Sequence, residues 1–168
     1  YNTTLEKNGG QDPETGDRRF PIRELLLSGG DIMVLPNKTL YRFAKAAGEA
    51  GVHILRFGTK EIAFRPERFD KAMAETFKMI HNDYPDMHFN IVTHYTHADE
   101  FLLRDENGAY IPNKSGTGYQ WMDMSRQAVE NMLSLPFVSM ENQTPIIQKV
   151  NDREEDVRGS VLFVPGQH

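Results

Sequence analysis

Glu24-Leu25-Leu26-Leu27-Ser28-Gly29-Gly30-Asp31 is the stretch from which the fold is read. A short, unbroken apolar run that stops at small and polar residues suits a strand buried on both faces, as in parallel sheets. The phrase then returns. Residues 52–57 read as a second strand, ended by Gly58-Thr59-Lys60. Residues 87–93 read as a third, ended by His94-Tyr95-Thr96-His97, and 137–140 as a fourth, ended by Glu141-Asn142-Gln143.

Helical periodicity fills the gaps. Asn37 can cap a helix through Leu40, Phe43, Ala44, Ala47 and Ala50, with Gly51 as its stop. Pro66 suits the first turn of a helix carrying Phe69, Met73, Phe77 and Ile80. A further helix is predicted over about 119–135. Residues 104–118 hold Gly108, Pro112, Gly116 and Gly118 and break the rhythm, as an inserted loop or small hairpin does. The chain thus divides into a polar lead-in (1–20), four strand–helix repeats (21–152, with the insertion) and an unassigned tail (153–168). Four such repeats predict an α/β fold with a parallel sheet, and specifically a partial (β/α) TIM-type barrel cut from a larger one. The chain starts at Tyr1 rather than Met, which fits a fragment.

Composition narrows the function. Of 168 residues, 39% are hydrophobic and 26% charged, enough for a real core. The net charge is −5 and no basic block occurs, so neither nucleic acid nor an anionic membrane is expected as a partner. No apolar run approaches the roughly 20 residues of a membrane span. Cysteine is absent, which excludes disulfides and thiolate clusters within this stretch and fits a reducing, cytoplasmic setting.

In parallel α/β folds the carboxyl ends of the strands build the ligand site. The segments after the four strands should therefore converge. Ser28, Gly29, Gly30 and Asp31 fit a backbone cradle for a ligand, or a tight turn with a helix cap. His94 and His97, with His88 upstream and Asp99 and Glu100 downstream, fit either a zinc or iron site or histidines that hydrogen-bond in a pocket; strand alternation sends His94 and His97 to opposite sides. Asn142 and Gln143 offer amides to a polar ligand or to their own loop. Arg56 and Lys60 could pair with a phosphate or carboxylate, or be solvated. Trp121, Met122 and Met124 read as core or helix face. No glycine-rich nucleotide fingerprint is present.

Taken in order, the strand ends carry a resemblance. The set comprises Leu26-Leu27-Ser28-Gly29-Gly30-Asp31, Leu55-Arg56-Phe57-Gly58-Thr59-Lys60, Pro66-Glu67-Arg68, Thr93-His94-Tyr95-Thr96-His97-Ala98-Asp99-Glu100, Asn142-Gln143 and Val150-Asn151-Asp152. Over about residues 23–152 it resembles the lysine 2,3-aminomutase family of radical S-adenosylmethionine enzymes. The resemblance implies S-adenosylmethionine, a [4Fe–4S] cluster and pyridoxal phosphate in the intact parent. It also implies an amino-acid substrate whose amino group migrates through a 5′-deoxyadenosyl radical. It places the amino end of S-adenosylmethionine on Ser28, Gly29, Gly30 and Asp31, with His94 and Gln143 lining its pocket. Arg56 and Lys60 match basic positions of the motif. The departures are specific. The family's three-cysteine motif should precede Ser28, and the aldimine lysine should lie beyond Asp152. Lys149 stands where the family tends to have glycine. Two other readings remain open at this point: a non-catalytic module binding an S-adenosylmethionine-like molecule, and a zinc-dependent hydrolase-like site at His88, His94 and His97. A sheet slice with two open edges also makes a homo-oligomer an expectation.

Overall fold

The computed structural model describes residues 2–7, 9–17 and 19–153; residues 154–168, nearly all of the unassigned tail, lie outside the described residues. Four strands, β1 (Glu24–Leu27), β2 (Ile54–Thr59), β3 (His88–Thr93) and β4 (Val138–Asn142), form one parallel sheet in the order β1-β2-β3-β4. The helices are α1 (Asn2–Lys7), α2 (Asn37–Glu49), α3 (Glu61–Phe64), α4 (Lys71–Asp83) and α5 (Asp123–Leu133). The fold is therefore α/β with parallel strands in sequential order, which is compatible with a slice of a barrel. Among the described residues, β4 is not followed by a helix, so the fourth expected repeat is represented by its strand.

Strand alternation splits the sheet into two faces. Leu55, Phe57, Phe89, Ile91, Val138 and Met140 share one face and are buried. Against them pack Leu40, Ala44 and Ala47 of α2, Met73, Phe77 and Ile80 of α4, and Ala128 and Met132 of α5, in one hydrophobic cluster. Phe77 is its keystone: its ring lies 5.6 Å from Phe57 and 4.9 Å from Phe89. Each such buried aromatic contributes roughly 2–3 kcal/mol by area removed from water. Among the described residues, no helix is long and apolar enough to cross a membrane.

The other face carries Glu24, Leu26, Arg56, Asn90, Val92, Ser139 and Glu141; Val92 is buried, but among the described residues the core cluster of α2, α4 and α5 packs on the opposite face. That corrects the reading of β1 as buried on both sides: Leu25 is 37% exposed and Leu26 51%. The apolar run specified a strand, but burial depends on tertiary neighbours, and β1 is an edge strand with one uncovered face.

Several boundaries also differ. Asn37 does not cap α2; it is the first helical residue, and the carbonyl of Pro36 receives the amides of Thr39 and Leu40. Pro66 opens only a short 3-10 turn, Pro66–Arg68, and α4 starts at Lys71 because the Asp70 carboxylate caps the Met73 amide at 2.8 Å. Phe69 therefore precedes α4. β2 begins two residues later than expected and, like β4, continues into the polar end, because the ladder runs on through Thr59↔Thr93 and Thr93↔Asn142. Residues 119–121 are not helical. They close an antiparallel arm through the bridges Leu102↔Trp121, Arg104↔Tyr110 and Pro112↔Tyr119, which is the expected insertion in an ordered form. The lead-in contains α1, whose Asn2 side chain bonds Ile22 on both its amide (2.8 Å) and carbonyl (2.7 Å) and Ala50 on its carbonyl (2.7 Å).

Candidate functional site

Because all four strands run parallel, their carboxyl ends lie along one rim of the sheet. After β1 the chain turns through Gly29 and Gly30 at φ 98° and 92°, a region L side chains rarely enter. A Cβ built on either glycine meets nothing within 4 Å, so this backbone borders open space. The turn leads to Asp31, whose carboxylate receives the amides of Met33 (3.0 Å), Lys60 (2.6 Å) and Glu61 (2.8 Å) and the Thr59 hydroxyl (2.7 Å). Its acceptor positions are taken. Asp31 therefore caps the turn that follows it and ties the end of β1 to the end of β2.

Lys60 is likewise engaged. Its ammonium donates to the His94 carbonyl (2.7 Å), the Thr96 hydroxyl (2.9 Å) and the Glu100 carboxylate (2.6 Å). It holds the end of β2 to the loop after β3. Asn142 does the same between β3 and β4: its Oδ1 accepts from the Tyr95 amide (2.9 Å) and its Nδ2 donates to Thr144 (2.6 Å). The buried Asn151 donates to Thr96 (2.6 Å) and Pro145 (2.9 Å) carbonyls, closing the same loop. Burial, reinforced by the nearby Glu100 charge, pushes the Tyr95 phenol well above its usual range, so it stays protonated.

The groups left facing the rim are the Gly29–Gly30 backbone, His94 and Gln143. The His94 Nδ1 lies 3.2 Å from the Gln143 carbonyl, and its Nε2 sits 3.4 Å from where a Cβ on Gly58 would be. Gly58 thus gives the imidazole room over β2. Gln143 is exposed, and its backbone N–H donates to the Thr93 carbonyl at 2.8 Å.

Arg56 sits lower, on the open face. Register places it in one row with Leu26, Asn90 and Ser139. Its guanidinium bonds Asn90 (3.2 Å), Glu24 (3.1 Å) and Glu141. The hydrogen bond to Glu24 does most to hold it protonated; burial opposes this, and Glu141 restores it. Asn90 also donates to Ser139 (3.0 Å), and the His88 Nε2 lies 3.1 Å from the same hydroxyl.

The sequence-selected residues thus divide. Ser28, Gly29, Gly30, His94 and Gln143 share the rim with open space. Asp31, Lys60 and Asn142 brace it, and Arg56 lies on the sheet floor. Glu24 and Asn90 were missed; Glu141 was read only as part of the fourth strand end and Glu100 only as a possible metal ligand, not as the partners of Arg56 and Lys60. The available signal was polarity at strand positions alternating with core residues, as at Glu141 after Met140. The three histidines do not converge: His88 faces Ser139, His94 faces Gln143, and His97 caps a turn by accepting the Asp99 amide (3.2 Å). Among the described residues no three His, Cys, Asp or Glu side chains are grouped to hold a metal, which leaves the zinc-hydrolase reading without support.

Comparison with curated proteins aligns 140 residues, 82% of the chain, at 26% identity with an Aquifex aeolicus (strain VF5) protein named "Putative L-lysine 2,3-aminomutase". The similarity is distant. The chain spans about a third (32%) of that protein's length. No protein-family model matches the chain.

A concavity lies on the helical side of the sheet. A groove of about 550 Å³ runs between α2 and α4, lined by Asn37, Tyr41, Thr76, Met79 and Asp83 among others. None of the strand-end residues line it.

Proposed function

We propose that the chain is the central part of a radical S-adenosylmethionine enzyme resembling lysine 2,3-aminomutase, and that its strand-end rim receives S-adenosylmethionine. The observation that carries this reading is the Gly29–Gly30 turn, which leaves backbone bordering open space at the end of β1, on the strand-end rim that also carries His94 and Gln143 after β3 and β4. The sequential parallel order and the single helix layer support a partial barrel as the scaffold. The distant likeness to the Aquifex aeolicus protein supports the family.

The division of labour follows from the bonds described. The Gly29–Gly30 backbone and Ser28 would bind the amino-acid end of S-adenosylmethionine, and His94 and Gln143 would line its pocket. Asp31, Lys60 and Asn142 position these groups by tying successive strand ends together. A Cβ at Gly30 would project into the ligand's space and strain the turn. In the intact parent, amino-group migration on an amino acid is the reaction this reading assigns. The residues present do not fit a [4Fe–4S] cluster, since the chain has no cysteine and, among the described residues, no three-ligand cluster. They do not fit a pyridoxal phosphate aldimine at Lys60, whose ammonium is bound to Glu100.

Calorimetric titration of the chain with S-adenosylmethionine tests the reading. Saturable binding is expected, weakened at least tenfold by Gly30→Val and by His94→Ala, each checked for native circular dichroism. Binding that both folded variants retain unchanged, or no saturable binding at all, contradicts it.

A further inference from the structure

Arg56 is the basic side chain that a ligand lying over the open face of the sheet would meet. It does not stand ready for an anion. Glu24 from β1 and Glu141 from β4 occupy its Nη1 and Nη2, while Asn90 takes Nε. The two carboxylates come from opposite edges of the sheet, and the guanidinium between them is 27% exposed. Lys60, directly after β2, is paired with Glu100. Along the open face and the segments directly after β1, β2 and β3, both of these cations are therefore already matched to protein carboxylates.

We propose that Glu141 is a specificity-determining residue that stands on Arg56 in the place of a ligand carboxylate and bars anionic groups from the floor of the site. The inference rests on the proposed strand-end ligand site and extends it to the open face beneath the rim, naming the ligand class accepted there: neutral or cationic where it crosses Arg56. The physical reason is competition. Each N–H of a guanidinium serves one acceptor well, and with Nη1, Nη2 and Nε all engaged Arg56 has no free edge to offer a further carboxylate in bidentate form. Glu141 is tethered, so its effective concentration at Arg56 is on the order of millimolar or higher, and a dissolved carboxylate below that level loses. Because Glu141 is 45% exposed, its pairing is weak enough in solvent to be removed without the large penalty of a buried pair. Glu24 remains to hold the other nitrogen.

The test uses the chain with glutarate as an anionic probe and 1,4-diaminobutane as a cationic one, followed by NMR shifts at low salt, where charge effects are least screened. The native chain is expected to give no glutarate response at Arg56. Glu141→Gln is expected to gain glutarate binding, at least tenfold above the native chain, and to lose it again when combined with Arg56→Gln. If Glu141→Gln does not fold, Glu24→Gln frees the other nitrogen and should show the same gain. Glutarate binding at Arg56 in the native chain, or no gain in a folded variant, overturns the proposal. Loss of S-adenosylmethionine binding by Gly30→Val is read independently, so failure of one result does not decide the other.

Discussion

At Lys149 the backbone adopts φ 65°, a conformation that costs an L side chain about 1 kcal/mol and glycine almost nothing. This is a position where the family that the sequence resembles tends to have glycine, and here a lysine occupies a turn of glycine-like backbone. Lys149→Gly is therefore expected to leave stability unchanged or raise it by up to about 1 kcal/mol in urea denaturation, less the extra freedom glycine gives the unfolded chain. A loss above that would show that the Lys149 side chain makes a stabilising contact. Gly48 presents the opposite case. A Cβ there would lie 2.5 Å from the Tyr84 ring, so Gly48→Ala should destabilise despite alanine's better helix propensity. The residue scale also shows where sequence reasoning ends. Glycines after a strand announce a turn, but that Asp31 is consumed by Thr59 and by the Lys60 and Glu61 amides depends on the register of β1 against β2, which no local pattern contains.

Elements were more legible than their environments. The runs at 24–27, 54–57 and 88–93 form strands because apolar residues there end abruptly at polar ones, and the α4 stripe Met73, Phe77, Ile80 faces the core as its spacing requires. Phe77→Ala should cost about 3–5 kcal/mol, read by thermal or urea unfolding, because Phe57 and Phe89 both lose their ring partner. What could not be read was which face of β1 is covered, and that the open-face charges would pair, since Glu24, Arg56 and Glu141 are brought together by pairing across four strands. The arm at 102–121 has its own pH response. Burial raises the Asp99 carboxyl, but hydrogen bonds from Arg104 and Tyr110 outweigh it and hold the group below the ordinary carboxylate range. A depressed folded value means the contribution is complete above the unfolded value and is lost as pH falls through the folded one. Amide protection factors across the arm, with the intrinsic pH dependence of exchange divided out, should thus be constant from neutral pH down to about 5 and fall below about 4. A fall already at about pH 6 would place the control on another group.

At the scale of the whole molecule, the sheet has a single neighbour for each of β1 and β4 among the described residues, with Leu25, Leu26 and Ile54 exposed nearby. Open parallel edges beside apolar surface favour association. Size-exclusion chromatography with light scattering should show mass rising with concentration. A constant monomer mass would mean that the edges are covered by parts of the chain outside the described residues. The same openness gives the sheet its available floor and rim, and so the central claim turns on where a ligand sits. Hydrogen exchange of the chain with and without S-adenosylmethionine measures that directly. The account expects slowed exchange at Gly29, Gly30, Gly58, His94 and Gln143, with the α2–α4 groove unchanged. Slowing at Tyr41, Thr76 and Asp83 instead, or at none of these positions, would contradict it.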